Sequence, residues 1–220
     1  MENKNTTILL ISNGNGLNLL DTLKGLMVSN TARPIIDKLM IILREDDDVE
    51  LFQELDRLKH GLKEVYDFKI LKPSAKNDFE RLDYALSLIN TEYIFYCSAG
   101  WGFTDKHYIY RSMYVLESQK DTIQVLLNNT SEFTPNKIME ESHQVGDMMY
   151  VNGIRAAKVN HNNKEYLYNG FNFTTSLFRT SDLKSIGRFS RFLNIYEIDA
   201  WYKKQNKIIL TFTEEYTKPV

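Results

Sequence analysis

Four short stretches of this chain put polar or charged side chains where chemistry could be done. The first is "SNGNGLN", Ser12 to Asn18. Its two glycines let a ligand approach the backbone closely, and it opens onto a helix start with free N–H groups, so Asn13 and Asn15 are candidate contacts. The spacing is that of neither a phosphate-binding loop nor a dinucleotide fingerprint, and a plain turn explains it equally well. The second, "REDDD" from Arg44 to Asp48, gathers four acids ahead of a helical stripe. Capping and the helix dipole favour negative charge there; the functional alternative is that Glu45 or Asp46 accepts hydrogen bonds from a base or a sugar. The third is the pair Asn77 and Arg81, four residues apart at a helix start and so able to face one pocket, or simply solvent. The fourth is "CSAG", Cys97 to Gly100, which ends an apolar run just before Trp101. Open α/β sheets bind ligands beyond the carboxyl ends of their strands, yet Ser98, Ala99 and Gly100 offer no charge and no strong metal ligand.

Other chemistries find little support. The four histidines, His60, His107, His143 and His161, include no pair at metal-ligand spacing, so zinc is disfavoured and no metal ligand is assigned. There is no Gly-X-Ser-X-Gly elbow, and the single Cys97 inside an apolar run reads as a buried structural thiol.

The elements that must position these stretches follow from periodicity. "TTILLIS", "KLMIIL", "DFKIL" and "EYIFYC" are short apolar runs, each but the last followed by leucines recurring every three or four residues. Strands alternating with helices imply right-handed crossovers and a mainly parallel sheet. A helix from about Asp105 to Ser118, a strand "TIQVLL", a hairpin around the Asn-Gly pair of "MMYVNGIRAAKV", helices near Ser181 to Ile186 and Ile195 to Gln205, and a last strand "KIILTF" complete the reading. Strand ends near Ser12, Leu43, Cys97 and Leu127 are expected to gather on one edge.

The 220 residues, 43% hydrophobic and 25% charged, suit one domain with a sizeable core. A net charge of −2 with scattered basic residues disfavours nucleic acid as a partner. No stretch reaches the about 20 apolar residues of a membrane span, and a soluble, cytoplasmic protein is expected.

Taken in order, "TTILLISNGNGLNLLDTLKGL", "NDFERLDYALSLINTEYIFYC", "GWGFTDKHYIYRSMYVLESQKDTIQVLL" and "YNGFNFTTSLFRTSDLKSIGRF" resemble segments of GT-A fold glycosyltransferases, nearest to a family-two-like branch whose fourth strand ends in Glu-Asp-Asp-Trp. The resemblance implies a single Rossmann-like domain with a central mixed, mainly parallel sheet, residues 1–127 forming the nucleotide-sugar half and 128–220 the acceptor half. It implies transfer of a sugar from a nucleotide-sugar to a glycan or other acceptor. In that family the acids hold a manganese or magnesium ion that neutralises the leaving diphosphate. Here Ser98, Ala99 and Gly100 stand in their place and Trp101 alone is kept; the chain also ends "EEYTKPV" where relatives tend to carry His-Ile-Gly. An enzyme working without the ion, a binding module without catalysis, or a chain altered at this turn all fit. In the first case a cation must replace the ion, with Lys218 and Arg81 the candidates by position. The resemblance assigns Glu197 to the position of the general base in inverting enzymes, with Asp199 as the alternative, and implies that Asn77 and Arg81 touch the donor phosphate or sugar.

Overall fold

The run Thr6–Ile11 forms strand β1, buried along its whole length, because side chains on both of its faces meet a layer of helices. A computed structural model describes residues 6–29, 35–62, 67–104, 107–127, 138–146, 149–155, 157–213 and 216–219. After β1 come α1 (Gly16–Ser29), β2 (Ile36–Ile42), α2 (Val49–Leu62), β3 (Asp67–Leu71), α3 (Asp78–Leu88) and β4 (Tyr93–Ser98). Then follow β5 (Trp101–Phe103), α4 (Tyr108–Ser118), β6 (Thr122–Leu126), β7 (Ile138–Val145), β8 (Met149–Arg155), β9 (Ala157–His161) and β10 (Lys164–Tyr168). The chain closes with β11 (Ser176–Arg179), α5 (Thr180–Ser185), α6 (Ile195–Lys204), β12 (Ile208–Phe212) and β13 (Thr217–Pro219).

The main sheet runs β3-β2-β1-β4-β11-β6-β12-β8-β7. β3, β2, β1 and β4 pair in parallel, β11 lies antiparallel between β4 and β6, and β12 returns parallel to β6. The carboxyl ends of β1, β2, β4 and β6 therefore share one edge, as expected. Alternate side chains sort into two cores. Ile8, Leu10, Phe95 and Cys97 pack with Leu19, Leu23, Leu55 and Ile109 from α1, α2 and α4. Leu9, Ile11, Ile94 and Tyr96 pack with Leu82, Leu86, Leu183 and Ile198 from α3, α5 and α6. Two short ribbons stand beside the sheet, β10 with β9 and β13 with β5.

Two expectations need correction, and one central strand was not foreseen. Asn152 and Gly153 do not turn a hairpin but lie inside β8. A tight Asn-Gly turn needs positive φ at both residues, and the residues that supply it are Asn162 and Asn163, at φ 49° and 59°, between β9 and β10. The fourth helix starts at Tyr108, with Asp105 and Lys106 outside the described residues. The strand β11 is buried at the centre of the sheet although its "SLFR" is too short and too mixed to announce itself.

Candidate functional site

The carboxyl edge is knit together by its own side chains. At the end of β1, Ser12 Oγ donates to Asp47 Oδ1 at 2.9 Å, and the Arg44 N–H donates to Asp47 Oδ2 at 2.7 Å. Asp47, 7% exposed, is thus the acid of the 44–48 turn that points inward. Asp48 accepts from the Glu50 N–H at 3.0 Å and starts α2 in the manner of an N-cap. Glu45 is exposed. Asp46 is exposed and grips Arg44 bidentately, Nε and Nη2 lying 2.9 and 3.0 Å from its oxygens. That hydrogen bonding holds the Asp46 carboxyl below the usual carboxylate range, with the charge of Arg81 acting the same way. The Arg44 guanidinium lies over Gly14, whose φ of 88° and missing Cβ leave it room.

Asn13 reaches from the first turn to the last: its Nδ2 donates to Ala99 O at 3.4 Å, while its Oδ1 accepts from the Asn15 N–H at 3.0 Å. Asn15 caps α1 through Asn18 N at 3.3 Å. On α3 the predicted pair separates. Asn77 is the N-cap, accepting from Glu80 N at 3.0 Å. Arg81 turns inward, 8% exposed, ion-paired with Asp78, its buried Nε lacking a hydrogen-bond acceptor. Tyr96 lies near both: burial, reinforced by Asp78, pushes its phenol up, and Arg81 opposes the shift.

The β4 turn is fastened from two sides. Ser98 Oγ donates to Phe173 O at 3.2 Å, and Thr22 Oγ1 on α1 accepts from the N–H groups of Gly100 and Trp101 at 2.9 and 3.0 Å. Trp101 is buried in β5, where Gly102 faces Lys218 and Trp101 faces Pro219 across the β5–β13 pair. A divalent cation asks for several hard oxygen ligands. The turn offers one hydroxyl, already committed, and no carboxylate, so its residues do not fit such an ion. Among the described residues no group of three or more His, Cys, Asp or Glu is placed to hold a metal ion.

Glu197 and Asp199 sit in the first turns of α6 and do different things. Asn194 Oδ1 accepts from Glu197 N at 3.1 Å while Glu197 Oε2 accepts from Leu193 N at 3.0 Å, a reciprocal cap. Glu197 Oε1 lies 3.8 Å from Lys164 Nζ. Asp199 is 1% exposed and takes the N–H and Nδ2 of Asn169, both at 2.7 Å, and the Phe171 N–H at 2.9 Å. Burial raises the Asp199 carboxyl above the usual range, and these donors oppose the rise. Residues 169–175 therefore tie α6 to the β4 turn: Asp199 anchors one end and Ser98 the other. Sequence reasoning missed Asp47, Thr22 and Phe173. Thr22 alone left a signal, a hydroxyl on the apolar stripe Leu19, Leu23, Leu26 of α1.

A cavity of about 860 Å³ adjoins the rim on the other side of Gly14, lined by Asn15, Asp48, Glu50, Glu54 and Arg57. Three acids against one arginine leave this lining net acidic, which disfavours a phosphate.

No family model and no curated protein matches the sequence. Solved structures do match. Staphylococcus aureus TarS, residues 1–349, superposes with a TM-score of 0.60 at 13% identity, over 96% of this chain and 59% of that one. The Pyrobaculum calidifontis mannosyltransferase PcManGT, in complex with GDP-Man and Mn2+, gives 0.62 at 8% identity, over 91% and 51%. GalNAc-T7 with UDP, GalNAc and Mn2+ gives 0.63 at 10%, over 95% and 41%. The chain has the GT-A glycosyltransferase fold. It spans between 41% and 59% of the length of these GT-A structures. No described helix is long and apolar enough to cross a membrane.

Proposed function

We propose that the protein binds a nucleotide-sugar donor across the carboxyl edge of its parallel strands and transfers the sugar to an acceptor on the α6 side, without an ion at the β4 turn. In this reading residues 1–127 hold the donor: Asn13, Asn15, Glu45 and Asp46 face the nucleoside end, and Asn77, Ser98 and Trp101 border the diphosphate. Residues 128–220 hold the acceptor. The observation that carries it is Arg81, a guanidinium buried at that edge of a GT-A fold, with an Nε N–H left without an acceptor. Buried donors are rarely left so, and a guanidinium suits a phosphate oxygen pair. Lys218, whose backbone stands opposite Gly102, is the second cation.

In the transfer step the acceptor hydroxyl oxygen attacks the anomeric carbon from the face opposite the diphosphate. The new C–O bond forms as the bond to the leaving phosphate breaks, the diphosphate takes that electron pair, and Glu197 Oε1 takes the hydroxyl proton, giving inversion. Glu197 is favoured over Asp199 as base because Asp199's oxygens already accept three N–H donors.

The test is thermal unfolding with UDP- and GDP-sugars. A ligand that binds only the folded state raises the midpoint; one of these sugars should do so in the parent chain, and Arg81→Ala should weaken it by about tenfold or more, the scale of a charge-assisted hydrogen bond. No shift with any nucleotide-sugar defeats the proposal. The fastened β4 turn favours a second reading, a GT-A module that binds its donor without turnover. Donor binding with no product over long incubation would select it.

A further inference from the structure

The β9–β10 hairpin is a two-stranded ribbon of its own. Its register sets His161 opposite Lys164, Val159 opposite Tyr166 and Ala157 opposite Tyr168, all on one face. That face meets Tyr196 on α6, whose ring centroid lies 5.2 Å from His161, 5.4 Å from Tyr166 and 5.3 Å from Tyr168. Burial grades along the ribbon. Tyr168 is buried at its root, whereas His161, Tyr166 and Tyr196 keep part of their surface in water.

Seating the ribbon on α6 uses the apolar bodies of these rings and leaves their polar tips in water. The cluster also gathers polar groups: Lys164 Nζ lies 5.0 Å from the Tyr166 ring centroid and 3.8 Å from Glu197 Oε1, and Asn194 Nδ2 donates to the Tyr166 hydroxyl at 3.3 Å. Partly wet aromatic rings bordered by a carboxylate, an ammonium and an amide match a pyranose, whose C–H face packs on rings while its hydroxyls pair with the polar groups. Charges of both signs share this surface, Lys164 Nζ standing 3.8 Å from Glu197 Oε1, which suits a neutral polyol and not an anionic membrane.

We infer that Tyr166, Tyr196, His161, Lys164 and Glu197 form a carbohydrate-binding ledge, and that the acceptor is a glycan. This rests on the reading of Glu197 as base, since the ledge brings a sugar hydroxyl to the oxygen that the α6 cap leaves over.

Saturation-transfer NMR on the full chain tests it, with glucose, galactose, mannose, N-acetylglucosamine, cellobiose and chitobiose as probes, each with and without UDP. At least one should receive magnetisation. Tyr166→Leu keeps apolar volume on the ribbon face but removes the ring, and should weaken that saccharide by roughly five- to tenfold; Tyr166→Phe should restore it. Transfer to none of the probes, or transfer that survives both Tyr166→Leu and Tyr196→Leu, overturns the ledge. If a nucleotide-sugar still raises the unfolding midpoint in that event, the donor reading stands without it; if neither binds, both fall.

Discussion

Glu197 caps its helix through one oxygen, Oε2 on Leu193 N, which leaves Oε1, toward Lys164, for the proton in the proposed transfer. Glutamine keeps the cap and loses the base. Glu197→Gln should therefore leave unfolding free energy within about 0.5 kcal/mol of the parent, while turnover drops by about 10² to 10⁴; a product assay beside a denaturant melt separates the two. Equal loss in both would make Glu197 structural. At this scale the sequence was half legible. Arg81 stood out by its spacing from Asn77, but the pair parts company because the N-cap faces outward and the residue one turn later faces in. Among the four acids after Arg44 no pattern distinguishes Asp47, which is chosen by a hydroxyl 35 residues earlier.

The segment 169–175 joins α6 to the β4 turn. It hangs on Asp199 at one end and on Ser98 at the other. Asp199→Ala strands the N–H groups of Asn169 and Phe171 and the Asn169 amide, so unfolding free energy should fall by about 3 kcal/mol or more. Amide exchange at 169–173 should quicken as well, measured by hydrogen exchange with mass spectrometry. A variant as stable and as protected as the parent would show that the segment is held otherwise. The parallel strands were readable because burial on both faces writes a continuous apolar run. The hairpins were not, because an Asn-Gly pair in a strand looks the same as one in a turn until its φ angles are known.

For the whole molecule, folding buries groups that ionise only at high pH. Burial pushes the Cys97 thiol up to about 12 from an ordinary 9.0, and raises the Tyr96, Tyr168 and Tyr202 phenols above 10.0. Each folded value lies above the unfolded one, so the unfolded chain releases these protons first and stability declines as pH rises from the unfolded value toward the folded one. Urea melts should show this group's stabilisation intact below pH 9.0 and eroding above it, first through the thiol and then, past 10.0, through the phenols. Cys97 should resist thiol reagents in the native state near neutrality and react once the chain unfolds. Ready native labelling would contradict the buried placement.

In the proposed function, protein cations at the carboxyl edge meet the charge of a nucleotide-sugar where the β4 turn offers no carboxylate for an ion. Isothermal titration of the stabilising UDP- or GDP-sugar, once with manganese and once with EDTA, tests it most directly. The same affinity is expected in both, lost in Arg81→Ala; binding that appears only with manganese, or that ignores Arg81, would contradict the proposed function.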